Sequence, residues 1–161
     1  MAWTTPRTWV TGETVTAALM NTHIRDNLNF LKTNPQSAFA AASADLTLTT
    51  TETDVTGATV SITTSIANAT YVAICVFDFD ITAAGAAIGQ GRLSVDGSIA
   101  AQEAHMRIDT SPARATTTLV QRGTVATAAS HTWKLRALKT AANGTCAVRL
   151  TSSSITVLVF E

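Results

Sequence analysis

Residues 71–80 read Tyr-Val-Ala-Ile-Cys-Val-Phe-Asp-Phe-Asp, and the first seven are apolar at both alternating positions. A strand sends successive side chains to opposite faces, so this run is apolar on both sides. The neighbouring β-like runs carry Thr and Ser instead. One face of 71–80 is therefore expected to meet the core and the other a second subunit. Similar runs occur at 46–49, 58–63, 70–83, 91–98, 103–109, 115–125, 131–138, 145–151 and 155–160, all short and rich in β-branched residues. The breaks between them hold Gly57, Gly85, Asp96-Gly97, Ser111-Pro112, Gly123 and Asn143-Gly144. Asn143-Gly144 is the strongest hairpin signal, because a type I′ turn needs positive φ at both central positions. No helices interleave. The pattern predicts a mainly β chain, an antiparallel jelly-roll sandwich of about eight strands over residues 45–161, preceded by an N-terminal arm with one amphipathic helix. An immunoglobulin-like sandwich is the alternative, although the cysteine and tryptophan spacing does not match that pattern.

Upstream the texture changes. Between Thr16 and Lys32, the residues Ala17, Met20, Ile24, Leu28 and Leu31 recur at three- and four-residue steps, one stripe of a helix. Thr14 or Thr16 can cap its start, and Asn34-Pro35 ends it. A helix this short gains most of its stability by packing its apolar face, so the stripe needs a partner. Ahead of it, Trp3 and Trp9 flank Pro6-Arg7 in a segment too short to bury two indoles against itself. Aromatic and arginine anchors dominate binding energy at protein interfaces. Residues 1–35 are thus expected to form an anchoring arm that docks elsewhere through Trp3, Arg7, Trp9, Met20, Ile24, Leu28 and Leu31. The alternative is a strap folded back on its own β-domain. Residues 36–44 are small and uncharged without clear period, and are expected to be a linker.

Composition bounds the partners. Charged residues make up 14% of the 161, formal net charge is zero, and Thr and Ala together supply roughly a third. Lys and Arg are spread along the chain, which argues against nucleic acid. A weakly charged surface of hydroxyls and methyls suits a subunit living inside an assembly. There is no apolar run of about 18 residues and no signal-peptide pattern, so neither membrane insertion nor secretion is expected. Cys75 and Cys146 lie in apolar strand-like stretches with no second ligand nearby. The expectation is two buried free thiols and no metal site, with a disulfide between neighbouring strands as the alternative.

Chemistry-bearing patterns are sparse. His23, His105 and His131 share no metal-ligand spacing and are expected to be solvated or satisfied in the core. No nucleophile elbow or phosphate-cradling loop is present. Asp78 and Asp80 share a strand face and could in principle hold a cation or act as acid and base. The expectation is instead that they are solvated and keep an edge from pairing. Arg92, Asp96 and Arg107 read as exterior positions. No enzymatic activity and no cofactor are expected.

The segment Trp3 to Glu13, Trp-Thr-Thr-Pro-Arg-Thr-Trp-Val-Thr-Gly-Glu, followed by Val-Thr-Ala-Ala-Leu-Met-Asn-Thr-His-Ile-Arg-Asp-Asn-Leu over Val15 to Leu28, resembles the amino-terminal signature of a family of tailed-bacteriophage virion proteins. In that family the segment precedes varied carboxy-terminal domains, so the resemblance implies a shared mounting device on the particle. Ser130-His-Thr-Trp-Lys-Leu-Arg-Ala137, Asn143-Gly-Thr and Ser154-Ile-Thr-Val-Leu-Val-Phe160 are similar to the last strands of trimeric, tumour-necrosis-factor-like jelly rolls on phage heads and tails. That implies a homo-oligomer, specifically a trimer. The resulting expectation is a virion structural protein made in the host cytoplasm, a capsid decoration protein whose arm binds other virion proteins of capsid or tail. Alternatives are a tail or fibre component, or a carbohydrate-binding, lectin-like module recognising a host glycan. Against the last, Tyr71, Phe77, Phe79, Trp133 and Phe160 all lie within strand-like runs.

Overall fold

A computed structural model of the chain describes residues 3–83, 88–107, 113–140 and 144–161. Gly85, Ser111-Pro112 and Asn143, among the expected breaks, lie outside them. Among the described residues ten strands are formed: β1 Gln36–Ala41, β2 Leu46–Thr47, β3 Thr53–Thr63, β4 Ala69–Ala83, β5 Ile88–Val95, β6 Ser98–Arg107, β7 Ala113–Val125, β8 Ser130–Lys139, β9 Thr145–Val148 and β10 Ser154–Phe160.

They pair antiparallel into two sheets. In the first, β7 runs along one side of β4, and β10 and β9 lie end to end along the other. β1 and β2 continue outside β10 and β9 in the same broken fashion. The second sheet has the order β3-β8-β5-β6. Each sheet is therefore four lanes wide, and the chain changes sheet at β2–β3, β3–β4, β4–β5, β6–β7, β7–β8 and β8–β9. That alternation is a jelly roll, and the eight lanes match the expected strand number.

Alternation along β4 builds the core. Tyr71, Ala73, Cys75, Phe77, Phe79 and Ile81 point inward and are buried, meeting Leu93, Trp133 and Leu135 of the second sheet. The Phe77 and Phe79 rings stack with centroids 5.7 Å apart. Facing them, β5 offers Gly91 and Gly89, where an added Cβ would lie 2.7 Å from a ring carbon of Phe77 and Phe79 respectively. Two aromatic rings fit here because two glycines oppose them. Cys75 and Cys146 are buried free thiols, as expected. Cys146 sits opposite Ile81, six residues along β4 from Cys75 and so roughly 20 Å away, which excludes a bridge between them. Burial pushes the thiols up, Cys75 to about 12 and Cys146 to about 11.

Two expectations are corrected. Gln36–Ala41, read as part of a linker, is strand β1, fully registered on β10 from Gln36↔Val159 to Ala41↔Ser154. Its Ala, Ser and Gln have little β preference of their own, so the free edge of β10 dictates the conformation. The strands on either side of Asn143-Gly144, β8 and β9, belong to different sheets and are not a hairpin pair, Asn143 itself lying outside the described residues. The tight hairpin is at Asp96-Gly97, where φ is +50° and +84° and Val95 pairs with Ser98. Positive φ at both central positions is the type I′ requirement.

Candidate functional site

The arm is a small clasp. α1 spans Ala17–Met20, a π-helical turn follows at Asn21–Arg25, and α2 spans Asp26–Thr33. Thr16 caps the start by accepting from the Leu19 N–H. Four-residue steps drift by about 40° each on an ordinary α-helix. The wider π turn takes back part of that drift, which keeps Met20, Ile24 and Leu28 in one line. Asn27 is buried, and its side-chain amide acts like a neighbouring strand: Oδ1 accepts from the Thr4 N–H at 2.9 Å and Nδ2 donates to the Thr4 carbonyl at 2.8 Å. This brings Trp3 against Phe30, with ring centroids 5.9 Å apart.

The second part of the clasp follows from Gly12, whose φ of +84° lets the Glu13 N–H reach the Val10 carbonyl in a turn. Glu13 then pairs with Arg7, whose guanidinium lies 4.9 Å from the Trp9 ring centroid. The clasp orders the indoles without burying them. Trp3 is 46% exposed and Trp9 is also exposed, as are Met20 and Ile24, while Leu28 and Leu31 are 60% and 59% exposed. The sandwich does not cover the stripe. A clamp at the helix end joins the two: Asn34 Nδ2 donates to the carbonyl of Glu161, just beyond β10, at 2.9 Å.

The outer face of the first sheet is the second apolar surface. Register places Phe39, Thr156, Ile74 and Val120 in one row across β1, β10, β4 and β7, with Ser37, Leu158, Val72 and Arg122 on one side and Ala41, Ser154, Val76 and Thr118 on the other. Phe39 is 66% exposed and Val120 61%. Val72, Ile74, Val76 and Leu158 are half-buried by their neighbours, and Arg122 is the one charge in the three rows. β4 thus does present apolar side chains to both faces.

Asp78 and Asp80 lie on this same face and correct the expectation of solvated edge guards. β4 is interior to its sheet, and Asp78 is only 2% exposed. Arg114 grips it with two bonds, 2.9 and 2.5 Å, while Arg149 joins Asp80 at 2.8 Å and Asp45 at 2.6 Å. The Ser153 hydroxyl accepts from the Asp78 N–H. These bonds pin the break between β9 and β10 onto β4, a structural role for both carboxylates. No cluster of three His, Cys, Asp or Glu suited to a metal occurs among the described residues.

Of the histidines, His105 pairs with Glu103 at the surface, and His131 is buried between two acceptors, the Asp96 carboxylate at Nδ1 (2.6 Å) and the Thr127 carbonyl at Nε2 (2.9 Å). Satisfying both takes the doubly protonated ring. The Asp96 bond, helped by Thr127, accordingly raises the His131 pKa. For Asp96, burial pushes the carboxyl up, but the bonds from His131 and the Thr132 N–H outweigh it and hold the group low. No helix among the described residues is long and apolar enough to cross a membrane.

No protein-family model and no curated protein matches the sequence. Among solved structures, the chain is similar to dimeric latent PorU from Porphyromonas gingivalis, with TM-score 0.44 and 11% identity over 76% of this chain but 12% of PorU. It is also similar to Eiger TNF from S. frugiperda, with TM-score 0.39 and 7% identity, covering 80% of this chain and 94% of that one. A third likeness is to the CBM36-1 domain of a multidomain xylanase from the hindgut metagenome of Trinervitermes trinervoides, with TM-score 0.35 and 13% identity over 76% and 96% of the two chains. The jelly-roll assignment rests on the strand order itself.

Proposed function

We propose that this chain is a non-enzymatic structural protein of a tailed-bacteriophage virion, a capsid decoration protein. In this reading the arm docks on another virion protein, and three copies associate through the outer face of the first sheet. The chain is made in the host cytoplasm and resides on the particle. The observation that carries the reading is the arm: two ordered indoles and a continuous apolar helix edge are exposed, while Asn34 clamps the helix end to the sandwich. Ordering an anchor before it binds removes entropy that docking would otherwise cost. Linking three such arms on one oligomer makes each dock raise the effective concentration of the next. The resemblance of Trp3 to Leu28 to the phage signature supplies the kind of particle.

The test is incorporation. Deleting residues 1–33 spares β1 and the Asn34 clamp, so the product should fold and associate as the full chain does yet fail to join particles. A deletion product that still joins them refutes the assignment of the arm.

A further inference from the structure

The outer face of the second sheet is more polar than the three rows around Ile74 on the first. It carries ion pairs across its strands, with Arg92 to Glu103 and Glu52, and Lys134 and Arg136 both to Asp54 at 2.9 Å. At its centre stands Ser94, a small buried residue between long neighbours, paired in register with Lys134. A short side chain among long ones leaves a cleft of about 430 Å³, lined by Asp54, Ser94, Asp96, Thr132, Lys134 and Arg136, with Gly97 of the hairpin at its rim.

We propose that this cleft binds a neutral saccharide. Its volume falls within the range of small-ligand sites. Its charged lining cancels, with Asp54 and Asp96 against Lys134 and Arg136, so it selects neither anions nor cations. What it offers is a dense mixture of donors and acceptors, the complement of vicinal hydroxyl groups. Lys134 spends one of its three N–H donors on Asp54, and both Asp54 oxygens retain acceptor capacity. Three features fix the geometry before a ligand arrives. Lys134 and Ser94 sit on paired strands, Asp96 is held in a two-residue turn, and its carboxylate is bonded to both the Thr132 N–H and His131. No aromatic ring lines the cleft among the described residues, so each site is weak alone, and useful retention comes from several copies acting together. Here the inference rests on the oligomer proposed above: with the first sheet's outer face covered by neighbouring copies, every second-sheet cleft faces away from the contact.

The experiment passes the full-length chain over surfaces densely bearing neutral oligosaccharides and, in parallel, sialylated and uronate-containing ones. Solution mass and melting temperature are recorded for each sample. Retention on a neutral oligosaccharide is expected, falling by about tenfold or more in both Ser94→Leu, which fills the cleft, and Lys134→Ala, which removes an exposed donor. Mass and melting should match the parent. Absence of retention on every neutral surface, retention unchanged in both variants, or retention confined to acidic surfaces overturns the proposal. An oligomer that fails to bind refutes the cleft alone. A monomer that binds through Ser94 and Lys134 refutes the assembly and leaves the cleft standing.

Discussion

His131 shows how one side chain ties stability to pH. Its pKa is raised in the folded chain, so its contribution is complete below the unfolded value of about 6.5 and is lost as pH rises through the folded one. Asp96 is shifted the other way, and its contribution is present above about 3.9 and lost as pH falls. The pair is therefore strongest between those limits. Melting temperatures of the parent and His131→Gln should differ most near pH 5, and the difference should shrink as pH rises past the unfolded value and through the folded one; a difference that does not change with pH contradicts the charged ring. A steric prediction sits beside it. Gly91→Ala would push a methyl into the Phe77 ring and should cost about 1–3 kcal/mol in denaturant unfolding. Neither role was legible beforehand, since a lone histidine and a strand glycine acquire meaning only from residues brought across the sandwich. The buried cysteines were legible, because apolar strand neighbours alone place them inside.

The strands reveal where local pattern suffices. Runs of Val, Ile and Thr marked β4, β7, β8 and β10 close to their bounds, because a β-branched texture agrees with a half-buried pleat. By contrast, β3 and β6 begin well before the expected runs 58–63 and 103–109, and β5 ends short of 91–98 at the Asp96-Gly97 turn. β1 escaped notice since its residues favour no conformation until β10 supplies unpaired backbone groups. Asp96-Gly97, read only as a break, forms a I′ turn because β5 and β6 are sheet neighbours, a topological fact outside any dipeptide. The helix was legible from its stripe, but the clasp holding it was not. Its chemistry lies in five residues: Asn27 clamps Thr4, and Gly12 turns Glu13 onto Arg7. Asn27→Ala should release the arm's first residues, raising amide exchange at Thr4 by about tenfold or more while β-strand protection holds. Unchanged exchange at Thr4 would mean that the clasp does not order the segment.

The whole molecule divides its surface into two unlike halves. The outer face of the first sheet carries Phe39, Val72, Ile74, Val76, Val120 and Leu158 with a single arginine in three rows, beside the Asp78–Arg114 and Asp80–Arg149 pairs, whereas the second sheet carries ion pairs along its strands and the polar cleft. The doubly apolar run at 71–77 announced this asymmetry in the sequence, but the cleft came from a serine whose neighbours are set by strand order. An apolar face of this extent calls for cover, and identical copies can supply it. Val120→Asp, placed where the side chain is already in water, should leave the monomer folded and weaken association roughly 30-fold. The decisive measurement is the solution mass of the full-length chain across a dilution series. A species of three 16.8 kDa chains that falls to one in Val120→Asp is the predicted result. A parent that stays at the mass of a single chain at every concentration would contradict assembly through the first sheet.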